Sequence, residues 1–333
     1  MAKRSATSNR ARQGQRQPAV HAPNGGDPAR PGPRQPCPCG SGKRYKACHG
    51  AAGGAADVIV PRPFAGLAGE CELVALREFV PSATAPLPLR DTSAGREIVL
   101  ATVLPLAAAA MVRSDGTGMV GLQVQTRSGD VSNDLASAVR WALAAEPGSA
   151  LPVIGRPDAG GDAVRLQDLI DAGAPLEVTL HEDFSWWLAG DEEPSGDVAL
   201  SLERANGAIL PTARIEADGV RAAYWVDARG KAHLRWVRPE PEERLLAALA
   251  RLSGRGELDL GEGSRYAGSF RAHGLLVPVW DLDAEMHARE WTEPAAAFAV
   301  RLAGALASLD ERPLGDAERR TLQGLRGRQL TIR

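Results

Sequence analysis

Ala222-Ala223-Tyr224-Trp225-Val226-Asp227-Ala228-Arg229-Gly230-Lys231-Ala232-His233-Leu234-Arg235-Trp236-Val237-Arg238 is the stretch that decides the fold class. Two short runs, Ala222 to Asp227 and Ala232 to Arg238, flank Ala228-Arg229-Gly230-Lys231, whose glycine suits a tight reversal, so the stretch predicts a β-hairpin. Glu242 to Leu252 predicts the helix that follows. The same order occurs earlier in the chain. Ala108 to Val112 and Met119 to Thr126 flank Ser114-Asp115-Gly116-Thr117-Gly118, a second hairpin signal. A helix capped by Ser132 or Asn133 and running to about Ala145 comes next. Hairpin then helix, twice, predicts an α+β body. It also raises a duplicated unit with a break near residues 156–162. No sequence identity links the halves, so a single mixed domain is the competing expectation.

Outward from these segments, Leu67 to Phe79 predicts a helix, Val80 to Leu89 an extended proline-interrupted stretch, and Glu97 to Leu104 a strand. Pro294 to Leu309 and Ala317 to Leu325 predict two closing helices. Strands punctuated by Pro and Gly argue against an all-helical body. Residues 1–36 are Arg, Gln, Pro, Gly and Ala with almost no bulky apolar side chains, and are expected to be a disordered arm. Residues 51–56, Ala-Ala-Gly-Gly-Ala-Ala, make a flexible tether, leaving 57–333 as the body.

Charge is divided unevenly along the 333 residues. The formal net charge is −2, yet residues 1–50 hold ten Lys or Arg against the single acid Asp27, a net of +9, and the remainder carries −11. A basic arm of this kind attracts nucleic acid, ribosomes or acidic proteins, or else folds back on its own acidic body. The N-terminus has charge without an apolar stretch behind it, so no signal peptide is expected. No apolar run is long enough to span a bilayer. Three of the four cysteines are crowded together, which fits a reducing compartment, so the expected location is the cytoplasm.

The crowded stretch is Cys37-Pro38-Cys39-Gly40-Ser41-Gly42-Lys43-Arg44-Tyr45-Lys46-Ala47-Cys48-His49-Gly50. The spacing C-x-C-x8-C-H closes Cys37, Cys39, Cys48 and His49 on one ion. A thiolate-rich tetrahedral set with no open position suits a structural zinc better than a catalytic metal. Three thiolates, a neutral imidazole and the ion sum to minus one. Lys43, Arg44 and Lys46 offset that charge and favour thiolate over thiol. A segment this short has no hydrophobic core, so metal binding supplies its folding free energy.

Chemistry in the body is thinner. Asp281, Asp283, His287 and Glu290 cluster in sequence and would suit a metal or an acid–base pair, but acids near a helix start are also ordinary dipole partners. His273 is either a base or a hydrogen-bonded structural residue. Cys71 is most simply a small buried hydrophobe. Tyr224, Trp225 and Trp236 beside Arg235 and Arg238 would stack RNA bases if exposed, although strand alternation turns some of these rings inward. Trp186 and Trp187 next to Asp183 are equally ambiguous. Gly261-Glu262-Gly263 lacks the strand–turn–helix context of a dinucleotide fingerprint. A Walker A loop and a Gly-x-Ser-x-Gly elbow are both missing. No catalytic motif stands out, and whether the body is an enzyme is left open.

Residues 37–50 resemble the SEC-C motif, the zinc-binding tail associated with the translocation ATPase SecA, in its Cys-His-ending form. The resemblance implies the same ligands, Cys37, Cys39, Cys48 and His49. It also implies that Lys43, Arg44 and Lys46 meet an acidic partner, such as the chaperone SecB, or the ribosome. The chain is too short for SecA's motor, so the motif carries over a ligand set and a docking habit and no activity. The remainder, through Leu67 to Pro81 and Gly268 to Asp281, resembles an uncharacterised actinobacterial family bearing the same N-terminal motif. The expectation is therefore a zinc-binding adapter for the ribosome or the protein-export machinery. Nucleic-acid binding through the arm and the aromatic hairpin is the first alternative. An enzyme of unspecified chemistry in the body is the second.

Overall fold

The computed structural model describes residues 59–125, 128–154, 164–190 and 193–327, together with Arg44. The arm at 1–36, the metal module at 37–50 apart from Arg44, the tether at 51–56 and the break near 156–162 lie outside the described residues. Chain contacts divide at Asp57, and the unit Val58–Arg333 is the subject below.

It is an α+β body containing two sheets. The first half runs through α1 (Glu70–Glu78), β1 (Ala83–Pro86), β2 (Ile98–Ala101), β3 (Ala110–Val112), β4 (Gly118–Gly121), α2 (Val131–Ala144), β5 (Ala150–Leu151), α3 (Leu166–Leu169) and β6 (Thr179–Leu180). Its strands form a six-stranded sheet in the order β5-β3-β4-β2-β1-β6, antiparallel except for the parallel pair β2–β4. Helix α2 covers this sheet through Leu135, Ala138, Val139 and Ala142, one face of a helix at the i, i+3, i+4, i+7 spacing. The side chain of Asp130 caps α2 by accepting from the Ser132 N–H at 3.0 Å. Ser132 and Asn133, the expected caps, are used elsewhere. The Ser132 hydroxyl meets Gln167 and the Leu166 N–H, and the Asn133 amide donates to the Val164 carbonyl.

The second half contains α4 (Gly196–Ala208), β7 (Thr212–Ala217), β8 (Val220–Asp227), β9 (Ala232–Trp236), α5 (Glu242–Gly254), β10 (Ser264–Ala272), β11 (Leu275–Leu282), α6 (Thr292–Glu311) and α7 (Asp316–Gly327). Its sheet is wholly antiparallel, in the order β10-β11-β9-β8-β7. The hairpin β8–β9 turns at Arg229 and Gly230, both at positive φ, with the Ala228 N–H donating to the Lys231 carbonyl. His273 and Gly274 make the same kind of two-residue turn between β10 and β11. Glycine is required at 274 by crowding too, since a Cβ there would lie 2.9 Å from the Pro61 carbonyl oxygen. The two hairpin-and-helix segments thus stand in sheets of different strand number and sense.

The second sheet is buried on both faces, which explains the unbroken apolar runs of β8 and β11. Ala222, Tyr224, Phe270 and Val277 join α1 and the first sheet in one core, while Ala223, Trp225, Leu234, Trp236 and Trp280 join α5 and α6 in another. Helix α1 is therefore shared packing between the halves. Arg251, fully buried on α5, donates to Glu318 on α7, to the Ser308 hydroxyl on α6 and to the Arg312 carbonyl, tying the three helices together. No helix among the described residues is long and apolar enough to cross a membrane.

Candidate functional site

The nominated histidines and acids of the body have traceable partners. His273 sits in its turn with Nε2 donating to the Glu78 carboxylate on α1 at 2.8 Å and its ring against Phe64. That hydrogen bond holds the Glu78 carboxyl below its ordinary value against the opposing effect of burial. The Asp281–Glu290 cluster is dispersed into local roles. Asp281 accepts from Arg265, Asp283 accepts from the Glu285 N–H, and His287 and Glu290 form a reciprocal cap at the turn before α6. Among the described residues no group of three His, Cys, Asp or Glu could hold a metal ion. His287 borders a cavity whose lining does not include His273.

The aromatic hairpin is not a stacking platform. Tyr224, Trp225 and Trp236 are all buried, and alternation places Tyr224 on one face of the sheet and Trp225 on the other. Arg235 lies over Phe79 and Arg238 over Trp236, so both arginines are engaged inside the molecule. This corrects the expectation that the hairpin offers its rings to RNA. Trp187 is buried and donates to the Val103 carbonyl, Trp186 donates to the Ser82 hydroxyl, and Asp183 accepts from Ser185 within their turn. Cys71 is half-buried, with its thiol pushed up to about 12 by burial first and by the Glu70 charge next, so it is not a thiolate at neutral pH.

Glu72, which the sequence did not single out, converges with Tyr224 around Arg214 on β7. Glu72, buried on α1, accepts from Arg214 Nη2 at 2.8 Å, from the Ala222 N–H at 3.1 Å and from the Tyr224 hydroxyl. The Tyr224 hydroxyl is raised well above its ordinary value, by burial first and then by the Glu72 charge. Arg214 Nη1 reaches Glu216 at 3.0 Å. Arg214 also lines two cavities. One, of about 640 Å³, is bordered by Glu72, Leu176, Glu177, Glu216 and Arg221. The other, of about 710 Å³, lies between Leu180 to Glu182 on one side and Leu210 to Arg214 on the other, with Trp225 and His287 in its lining.

The second cavity separates two strands that end their sheets, β6 and β7. His181 stands at its wall, with Nε2 at 2.8 Å from the Thr84 hydroxyl and its ring beside Trp186. Burial holds the His181 imidazole below its ordinary value, so it is neutral at pH 7. His287 stacks on Trp225 with ring centroids 6.1 Å apart. Its Nδ1 accepts from the Arg289 N–H. The indole Nε1 of Trp225 and the Nε of Arg214 are buried with no hydrogen-bond partner among the described residues. The cleft has a mixed polar and apolar lining and is flanked by strand edges. Trp225 and His287 were singled out in the sequence, but their meeting there was not legible, because the lining comes from five separate segments.

A family model described as Family of unknown function (DUF5926) matches residues 63–333, and the chain belongs to that family. A SEC-C motif model matches residues 34–51. No curated protein and no solved structure matches the chain.

Proposed function

We propose that the chain is a zinc-binding adapter. In this reading the basic arm and the module at 37–50 dock onto a larger assembly, and the body at 57–333 offers a second binding surface. The SEC-C match over residues 34–51 carries the proposal. The donor set fits zinc: Cys37, Cys39 and Cys48 would supply thiolates and His49 an imidazole, a closed four-ligand site whose role is to fold the module and not to activate water. Lys43, Arg44 and Lys46 would then face an acidic partner, and Arg44, the described residue among them, is exposed. The partners we favour are the ribosome or a SecB-like chaperone of protein export, met in the cytoplasm.

Removing residues 1–50 should abolish co-sedimentation with ribosomes and capture of the export chaperone, as should replacing Cys37 and Cys39 by serine. Association unchanged by both alterations would defeat the proposal.

The charge of residues 1–50 supports a second reading, nucleic-acid binding through the arm alone, since the aromatic hairpin is closed. Binding of that kind weakens steeply with salt, and a flat salt response would reject it. The side chains nominated for an enzyme are committed to other roles, so that reading has no named residues left.

A further inference from the structure

No residue of α4 is buried, whereas α5, of the same 13-residue length, buries seven. A helix this short has little stability of its own in water, so its order depends on the face it packs. That face, Val198, Ala199, Leu202 and Ala205, is only half-buried, and its main neighbour is the turn Pro105–Ala107. Two hydrogen bonds fasten α4 to distant segments among the described residues. Ser201 accepts from the Leu106 N–H at 3.2 Å, and Asn206 accepts from the Phe184 N–H at 2.9 Å. The turn that receives the helix is itself strained. Leu106 and Ala107 stand at φ 56° and 55°, where a Cβ crowds the backbone. The Leu106 side chain is 69% exposed, so its own burial does little to offset that cost.

We infer that α4 is a gate on the 710 Å³ cleft, lifting off the Pro105–Ala107 turn as a unit. Asn206 in its last turn, with Ile209 and Leu210 just beyond, forms one wall of that cleft. Lifting withdraws this wall and widens the way to His181 and Trp225, which lie in the same lining. The pivots are the two ends of the helix. Gly196 begins α4 at φ +54° with nothing within 4 Å of where a Cβ would stand, and Ile209 at the other end is extended. The docked arrangement gains two hydrogen bonds and a half-buried face, while the lifted one relieves two left-handed residues. Opposing contributions of this size leave the two arrangements close in free energy, as a gate requires. The inference concerns the body alone and is independent of the adapter reading.

The test is hydrogen–deuterium exchange of the full chain, read by mass spectrometry. Once lifted, α4 loses the packing that orders it, so its amides should exchange about 100-fold faster than those of α5. Ala107→Gly removes a left-handed penalty without touching α4, and should slow exchange of α4 about three-fold. Ser201→Ala deletes a tether and should speed it about three-fold. Exchange of α5 should be the same in all three proteins, which also shows that the variants fold. Access to the cleft is read separately with Ala213→Cys, placed in its lining on β7. Maleimide labelling at that position, located by peptide mass spectrometry, should quicken with Ser201→Ala and slow with Ala107→Gly by the same factors as the exchange of α4. An α4 that exchanges no faster than α5, or that ignores both substitutions, overturns the inference. Labelling of Ala213→Cys at one rate in all three backgrounds also overturns it, since α4 would then move without governing the cleft.

Discussion

At the scale of single residues, the carboxylates of α1 are the least expected features. Glu70 and Glu72 stand in the first turn of α1, and carboxylates are mostly exposed in folded proteins, yet both are buried. Glu70 is clamped by Nε and Nη2 of Arg62 at 2.6 and 2.8 Å, and Glu72 by Arg214, Tyr224 and a backbone N–H. The Glu72 arrangement is not encoded locally, because its partners come from β7 and β8, far along the chain. Glu72→Gln removes the charge and keeps the shape. It should cost about 1.5–3 kcal/mol, the usual worth of hydrogen bonds to a charged group, read as a lower urea midpoint with unchanged slope. An unchanged midpoint would mean that the Arg214 and Tyr224 donors find equal partners without it. Glu78 makes a pH-dependent contribution. Its carboxyl is held below the ordinary value by His273, so the stabilisation is complete above the carboxylate range and is lost as pH falls through it. Glu78→Gln should therefore lower unfolding free energy at neutral pH, and its gap from the parent should narrow progressively as pH falls through the carboxylate range. A gap that stays constant across that whole fall would assign the loss to something other than the charge.

At the scale of elements, the hairpins and the longer helices were legible because their signals are local. The turn at Arg229 and Gly230 and the helices at 242–254, 292–311 and 316–327 stand where periodicity and turn chemistry predict them. Helix ends were less legible. Asp130, Ser132 and Asn133 are all competent caps within four residues, and only tertiary structure selects among them. The Ser132 and Asn133 side chains are drawn off to the 164–167 segment, leaving Asp130 to cap α2. Asp130→Ala should cost about 1 kcal/mol and raise amide exchange in the first turn of α2. Ser132→Ala should instead loosen α3, where the Leu166 N–H loses its acceptor. Equal effects of the two substitutions on α2 would contradict that division of labour. β6 and β7 escaped the sequence reading for a related reason. β6 is only two residues long, and β7 mixes charged and apolar side chains with both kinds partly exposed. Strands at sheet edges lack the apolar runs that identify β8 and β11, and these two edges make the candidate cleft.

At the scale of the whole molecule, the leader and the body divide the sources of stability as they divide charge. The body from Val58 onward has two large apolar cores, joined through the doubly covered second sheet, and so needs no metal to fold. Residues 37–50 have too few apolar side chains for a core, so their order would come from the ion that the proposed ligands bind. The motif was legible because its chemistry requires particular residue types at a fixed spacing. The function of the body was not, because no comparable set of spaced residue types occurs in it. The two sources of stability give separate responses to a chelator. The purified chain should contain about one zinc per molecule, released by a strong chelator and retained less well after Cys48→Ser. Calorimetry should find the main unfolding transition of the body unmoved by metal removal, while proteolysis of residues 37–50 accelerates. A large fall in that main transition would mean that the ion stabilises the body directly, and metal loss would then no longer be a selective way to disable docking. An unchanged main transition makes chelation a selective test of the docking module: ribosome association should vanish while the body stays folded in the same sample.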